Sequence, residues 1–388
     1  MDFDKLEKEF LTSPSGKAFY QFTNKIKEEI FNRIYKESDL PDKSIKPSSQ
    51  EEINQIVRER RIKNVNQKIE HTERMVTQIV QFNARMGIET DFALITDLAI
   101  LYHDIGRFPQ VSRTGSFTDK ITYANSPVFK NHGDEGAQVF LEQDFAVKSE
   151  YKPSISEAIK HHVNPLASGY DFKFKSVEEL QKLNTRVNDI LIGKKTLSEE
   201  ERMLVSLLVQ LVADIDKSDI LYQNLTGDID MIRDWVGDKS HDPIDIIAHR
   251  WGVSKEEILA YNNKTEETYM DLPMLKIPIA NMDPMLLMPP AHIKEMFYNN
   301  SWAELRDLQQ DPSWHFVSIL WWRLGHFIHN INFSAVLDNM EDANLLEEMR
   351  SKFPERLRPV VDEAFDHAIC VIKTKKSSEI YTNDFFKR

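Results

Sequence analysis

Seven polar side chains fall where their helices should be apolar: His71, His103, Asp104, His132, His161, His162 and Asp216. Imidazoles and carboxylates suit divalent first-row metals, and one carboxylate can bridge two ions while imidazoles complete each shell. If the seven converge, two such ions would lower the pKa of a shared water and clamp the oxygens of a phosphate ester for in-line attack. The reaction class that follows is phosphate-ester hydrolysis by a metal-activated water. Asp219 or Lys217 could then orient that water or protonate the leaving group, and the sequence leaves the choice between them open. Singly, each group has a plainer reading. A histidine at a helix C-terminus complements the dipole, and one in mid-helix can simply face water.

The central stretch is Leu101-Tyr102-His103-Asp104-Ile105-Gly106-Arg107. Thr90 is an N-cap for a helix over Asp91–Tyr102, whose Leu94, Leu98 and Leu101 share one stripe. His103 and Asp104 therefore fall at a buried helix end, where an ionised carboxylate needs a charged or metal partner. Gly106 and Pro109 are expected to stop this helix, and Phe108 to Asn131 reads as a long irregular segment, a feature that is more often functional than incidental. Ser49 with Glu52 forms a capping box that predicts a helix running, with or without a break, past His71 to Met86 and stopping at Gly87. His132-Gly133-Asp134-Glu135 opens a helix carrying Val139, Phe140 and Phe145, and Ser154 with Glu157 boxes the start of one that ends in His161-His162. Thr196 with Glu199 caps a helix whose stripe Leu204, Leu208, Val212 and Ile215 brings Asp216 and Asp219 onto or near one face.

The 388 residues include only 12 glycines and show little two-residue alternation; Tyr170 to Phe174 and Leu275 to Ile279 alone read as short strands. The expected class is all-α. Residues 1 to about 40 form one or two amphipathic helices around Leu11, Phe19, Phe22, Ile26 and Ile30. We divide the chain into an N-terminal helical extension (1–60), a metal-binding domain (61–225) and a helical C-terminal part (226–388). All six tryptophans lie in that last part, where Trp314, Phe316, Trp321, Trp322 and Phe327 read as core packing, as does the apolar window Phe316 to Ile328. A net charge of −13 gives no electrostatic footprint for nucleic acid or an anionic membrane. Cys370 is the single cysteine, so no intramolecular disulfide forms, and the polar stretch Met1 to Phe10 is no signal peptide. The expected location is cytoplasmic, and a homo-oligomer stays open.

In order and context these groups resemble the HD-domain superfamily of metal-dependent phosphohydrolases. Its pattern is matched by His71 in Lys68-Ile69-Glu70-His71, by His103-Asp104, by His132 in His132-Gly133-Asp134-Glu135-Gly136-Ala137, by His161-His162, and by Asp216 in Asp216-Lys217-Ser218-Asp219-Ile220. The likeness covers roughly residues 61 to 225 and is strongest to bacterial HD proteins with a His-Asp-Ile-Gly-Arg-Phe-x-Gln run (103–110) and a late Ile-Asn-Phe-Ser segment (331–334). The resemblance implies an all-α core holding one or two divalent ions of Mn, Fe, Ni, Co or Zn. It implies a first site of His71, His103, Asp104 and Asp216, and a second that adds His132 with His161 or His162. Arg107 stands where related HD-GYP phosphodiesterases place a phosphate-contacting lysine. Of the rest of the HD-GYP signature only Gly169-Tyr170 coincides, and His161-His162 is followed by Val163-Asn164. Val212-Ala213-Asp214 offers a second register for the last acid, although Asp216 agrees better with the apolar stripe. The implied substrate is a small phosphate compound, a nucleotide by preference. The alternative is a metal-binding module that has become regulatory or scaffolding. Ile246 to Asn262 with Leu275 to Pro278 also resembles a LysM carbohydrate-binding repeat, which we read as a chance helix-turn likeness.

Overall fold

The computed structural model describes residues 3–40, 45–88, 90–163, 199–226, 291–299 and 358–376, with short pieces between 324 and 351. The described residues are mainly helical and contain no extended strand. Along the chain come α1 (Phe3–Leu11), α2 (Pro14–Asn32), α3 (Gln50–Met86), α4 (Thr90–Tyr102), α5 (Arg107–Thr114), α6 (Asp119–Thr122), α7 (His132–Glu142), α8 (Lys152–His161) and α9 (Glu199–Thr226). The predicted strands at 170–174 and 275–279, Thr196, the LysM-like stretch, the six tryptophans and the apolar window up to Phe327 lie outside the described residues.

The chain divides into two compact units, Met1–Asp216 and Lys217–Phe385. The line falls inside α9, and the line expected at residue 60 falls inside α3. The N-terminal helices therefore belong to the first unit rather than to an extension of it. In the second unit, helix Arg358–Lys376 packs beside Leu345–Ser351, and Arg350 reaches Asp362 at 2.8 Å and Asp366 at 3.0 Å. Glu363 accepts from Lys294 and Tyr298 of helix Ala291–Tyr298. Among the described residues no helix is long and apolar enough to cross a membrane.

α3 is the longest element of the first unit, 37 residues without a break. Ser49 caps it by accepting from Glu52 N–H, while the Glu52 carboxylate turns back to Ser48 N–H and hydroxyl rather than to Ser49. Such a cap contributes roughly 1 kcal/mol. Gly87 ends the helix in the left-handed conformation, φ 61°, where other residues are strained. α4 packs along α3, and from Leu98 to Tyr102 every residue of α4 is buried. Its last residue, Tyr102, is the hinge of an aromatic cluster. The ring lies 6.2 Å from Phe19, 5.2 Å from Phe140 and 4.5 Å from Phe145, and its hydroxyl donates to Ser15 O at 2.7 Å. One buried tyrosine thus joins α2, α4, α7 and the segment after α7 with its polar end satisfied.

Three local expectations are corrected. Pro109 does not stop a helix: α4 ends at Tyr102, residues 103–106 turn, and α5 begins at Arg107 with Pro109 in its first turn, where a missing N–H costs nothing. The segment read as irregular therefore holds α5 and α6. Ser154 does not cap α8, which begins earlier, at Lys152, with Pro153 in its first turn and Ser154 buried. Phe145 lies beyond the end of α7, in the core.

Candidate metal centre

Four elements bring one residue or more each to a common point. α3 supplies Lys68 and His71, three residues apart on one helix face. The turn after α4 supplies His103 and Asp104. α7 opens on His132, held by Asn131, whose side chain accepts from Asp134 N–H at 3.0 Å. α8 ends in His162. Close approach is built in by glycine. A Cβ on Gly106 would stand 2.1 Å from His132 O and 2.6 Å from Gly136 N, and one on Gly133 would meet Lys160 O at 2.7 Å. Bare backbone at these points lets α7 lie against the His-Asp turn on one side and against α8 on the other.

Asp104 is the centre of the arrangement. Its Oδ2 lies 3.4 Å from His103 Nε2 and 3.7 Å from His71 Nε2, and these two nitrogens are 3.2 Å apart. Its Oδ1 lies 3.2 Å from His132 Nε2 and 3.7 Å from His162 Nε2, which are themselves 3.3 Å apart. One carboxylate therefore presents each oxygen to its own pair of imidazoles. Asp216 Oδ1 adds a second acid to the first pair, 3.3 Å from His71 Nε2. All five of His71, His103, Asp104, His132 and His162 are buried, whereas Asp216 is a quarter exposed.

The second nitrogen of three rings fixes the proton. His103 Nδ1–H donates to Ile100 O at 2.7 Å and His162 Nδ1–H to Ile159 O at 2.6 Å, each to a carbonyl in the last turn of its own helix. His132 Nδ1–H donates to Asp119 Oδ2 at 2.8 Å. Each ring in its neutral form is then left with a bare lone pair at Nε2, the atom aimed at the cluster. Two such lone pairs facing at 3.3 Å, with a carboxylate oxygen beside them, call for a cation between them. Ligand atoms bound about 2.1 Å from one ion stand roughly 3–3.5 Å apart, close to the separations here. The residues present fit two metal ions sharing Asp104, and the groups His71–His103–Asp104 and Asp104–His132–His162 each bring their ligand atoms within 4.8 Å of one another.

The electrostatics agree. Burial pushes the Asp104 carboxyl up, but Lys68 and His103 outweigh it and hold the group well below its ordinary value. Burial also raises Asp216, and the hydrogen bond and charge of His71 bring it down overall. Burial lowers His162, which keeps that ring neutral, as a ligand must be. Lys68 Nζ lies 2.5 Å from Asp104 Oδ2 and is almost wholly buried. Arg107 has Nε buried without a hydrogen-bond partner, 3.8 Å from Asp104 Oδ1.

Of the residues expected at the site, the structure brings together His71, His103, Asp104, His132, His162 and Asp216, with Arg107 at the edge. It does not bring His161, whose Nε2 lies 3.3 Å from Glu157 on its own helix and away from the cluster. The physical reason is angular: adjacent residues at a helix end point about 100° apart, so only one of the pair can face Asp104. Asp214 and Asp219 are both buried in α9, and neither belongs to the two ligand groups found among the described residues. Sequence reasoning missed Lys68 and Asp119. The signal for Lys68 was a lysine one helical turn before a buried histidine; for Asp119 only its place in the loop.

This is an all-α unit in which one buried carboxylate faces two imidazole pairs, each pair forming with it a group that could hold a metal ion. Residues 69–221 match the family model described as the HD domain. The matched span contains every ligand candidate. Comparison with curated proteins and with solved structures gives no match.

Proposed function

We propose that the chain is a two-ion hydrolase that cleaves a phosphate ester or anhydride of a small molecule, a nucleotide by preference. The observation that carries this reading is the division of Asp104, one oxygen to His71 and His103 and the other to His132 and His162. When bound, the ions would supply Lewis acidity to the phosphoryl oxygens and activate water as the nucleophile. The protein's own groups do the rest. Asp104 holds the two sites at a fixed spacing, and Ile100 O, Ile159 O and Asp119 keep three rings in the ligating tautomer. Lys68 offsets the carboxylate charge in a buried setting. Arg107 holds a positive charge beside Asp104 Oδ1, and the contact with a phosphate oxygen is the role we propose for it. The preference for a nucleotide rests on the resemblance, and Arg107 supports only the phosphate.

The test is metal analysis of protein purified without chelator, paired with hydrolysis of a general phosphodiester and a nucleotide panel in added manganese. Two ions per chain with turnover support the reading and direct attention to base and phosphate specificity. Two ions without turnover on the whole panel would overturn it in favour of a regulatory metal-binding module.

A further inference from the structure

Neither ligand group contains Asp119, yet its two oxygens are divided as those of Asp104 are. Oδ2 accepts from His132 Nδ1–H at 2.8 Å. Oδ1 accepts from Arg107 at 2.8 Å and from Gln110 Nε2 at 3.0 Å. Gln110 is fully buried, and its amide also reaches Thr122 Oγ1 at 3.2 Å. The same Arg107 nitrogen that meets Asp119 also donates to Gln110 Oε1 and to Phe117 O. The segment leading into α6 is itself tied to α3, where Asn64 Nδ2 donates to Gly115 O at 3.0 Å. Asp119 is therefore held from both sides.

We propose that Asp119 is a positioning residue that orients His132 for the second ion and, through the same carboxylate, fixes the guanidinium of Arg107 that faces the substrate anion. This rests on the two-ion reading above. A carboxylate can accept on both oxygens, whereas an asparagine has one acceptor oxygen and an NH2 group. In Asp119→Asn, therefore, either His132 Nδ1–H or the Arg107 and Gln110 donors must face another donor. Asp119→Ala removes both anchors. Loss of the carboxylate behind a ligating histidine weakens metal affinity by roughly 10–100-fold. That loss should fall on the second site, because the ring that Asp119 holds, His132, faces Asp104 Oδ1 and His162.

The experiment is a manganese titration of the full chain, followed by binding calorimetry and by the electron paramagnetic spectrum, for wild type, Asp119→Ala and Asp119→Asn. The expected wild type binds two ions that show a spin-coupled pair through Asp104. Both variants should keep the first ion at wild-type affinity, bind the second about 10–100-fold more weakly, and show an isolated manganese signal at intermediate loading. The retained first ion is the control for folding, since a collapsed site would lose both. Unchanged affinity for both ions in the variants would overturn the role of Asp119 alone. Loss of both ions would overturn it as well, by showing a fold-wide role. A wild type that binds fewer than two ions would bring down this inference together with the two-ion reading.

Discussion

Asp104→Ala separates the structural from the chemical part of the centre. In the wild type, Lys68 Nζ lies 2.5 Å from Asp104 Oδ2, with side-chain exposures of 2% and 5%. Removing the carboxylate leaves an ammonium with almost no water and without its nearest counter-charge. Breaking a buried pair in this way costs about 3–5 kcal/mol, a large share of the stability of a typical domain. The methyl side chain also takes an oxygen from each imidazole pair, so both ions should be lost together, whereas removal of His71 or His132 should release one. The assay is urea denaturation in excess chelator, which isolates the pair from metal binding, alongside metal analysis without chelator. Lys68→Met on the Asp104→Ala background should recover most of the lost stability, because the uncompensated charge is gone. A chelated Asp104→Ala protein as stable as wild type would refute the buried-pair argument. Retention of either ion at wild-type affinity would refute the bridging role.

Arg107→Ala should raise KM for a phosphodiester by about tenfold or more while the first ion is retained, since a charge-assisted contact contributes roughly 1.5–3 kcal/mol; an unchanged KM would count against a phosphate contact. His162→Ala should drop metal content from two ions to one, and His161→Ala should leave both in place, because His161 pairs with Glu157; equal effects of the two variants on metal content would contradict the geometry. Gly106→Ala places a methyl 2.1 Å from His132 O, so it should destabilise the fold by about 1–3 kcal/mol and weaken the second ion, measured by thermal melting and metal titration. A melt and metal content like wild type would show that α7 does not depend on that close approach.

The helical class and most of the residues that converge on Asp104 were legible in the sequence because both rest on local rules. Ser49 and Gly87 bound α3 by cap chemistry, and the apolar run of α4 announces a buried end at His103. For two histidines the plain reading and the metal reading turn out to be compatible: Nδ1 of His103 and of His162 caps its own helix while Nε2 faces the cluster. Choosing His162 over His161 needed the direction of α8 relative to Asp104, which no local pattern encodes. Lys68 and Asp119 stayed hidden for another reason. Lys68 matters through Asp104 in the turn after α4, 36 positions along the chain, and Asp119 through His132, 13 positions away, so neither contact leaves a periodic trace. Residues 107–114 were misread because Gly106 and Pro109 signal the end of one helix and the start of the next equally well.

The rings of His103 and His162 are steered by main-chain carbonyls, Ile100 O and Ile159 O, which no side-chain substitution can delete. Their aim is written in helix length instead. A single residue inserted into α4 or α8 turns everything beyond it by about 100° and advances it about 1.5 Å, enough to swing an imidazole off Asp104 while every ligand remains in the chain. Exchanges of one apolar residue for another along α4 and α8 leave that phase untouched. The centre should therefore drift freely in the identity of those helices' residues and hardly at all in their number, and engineering that retunes it must work by counting.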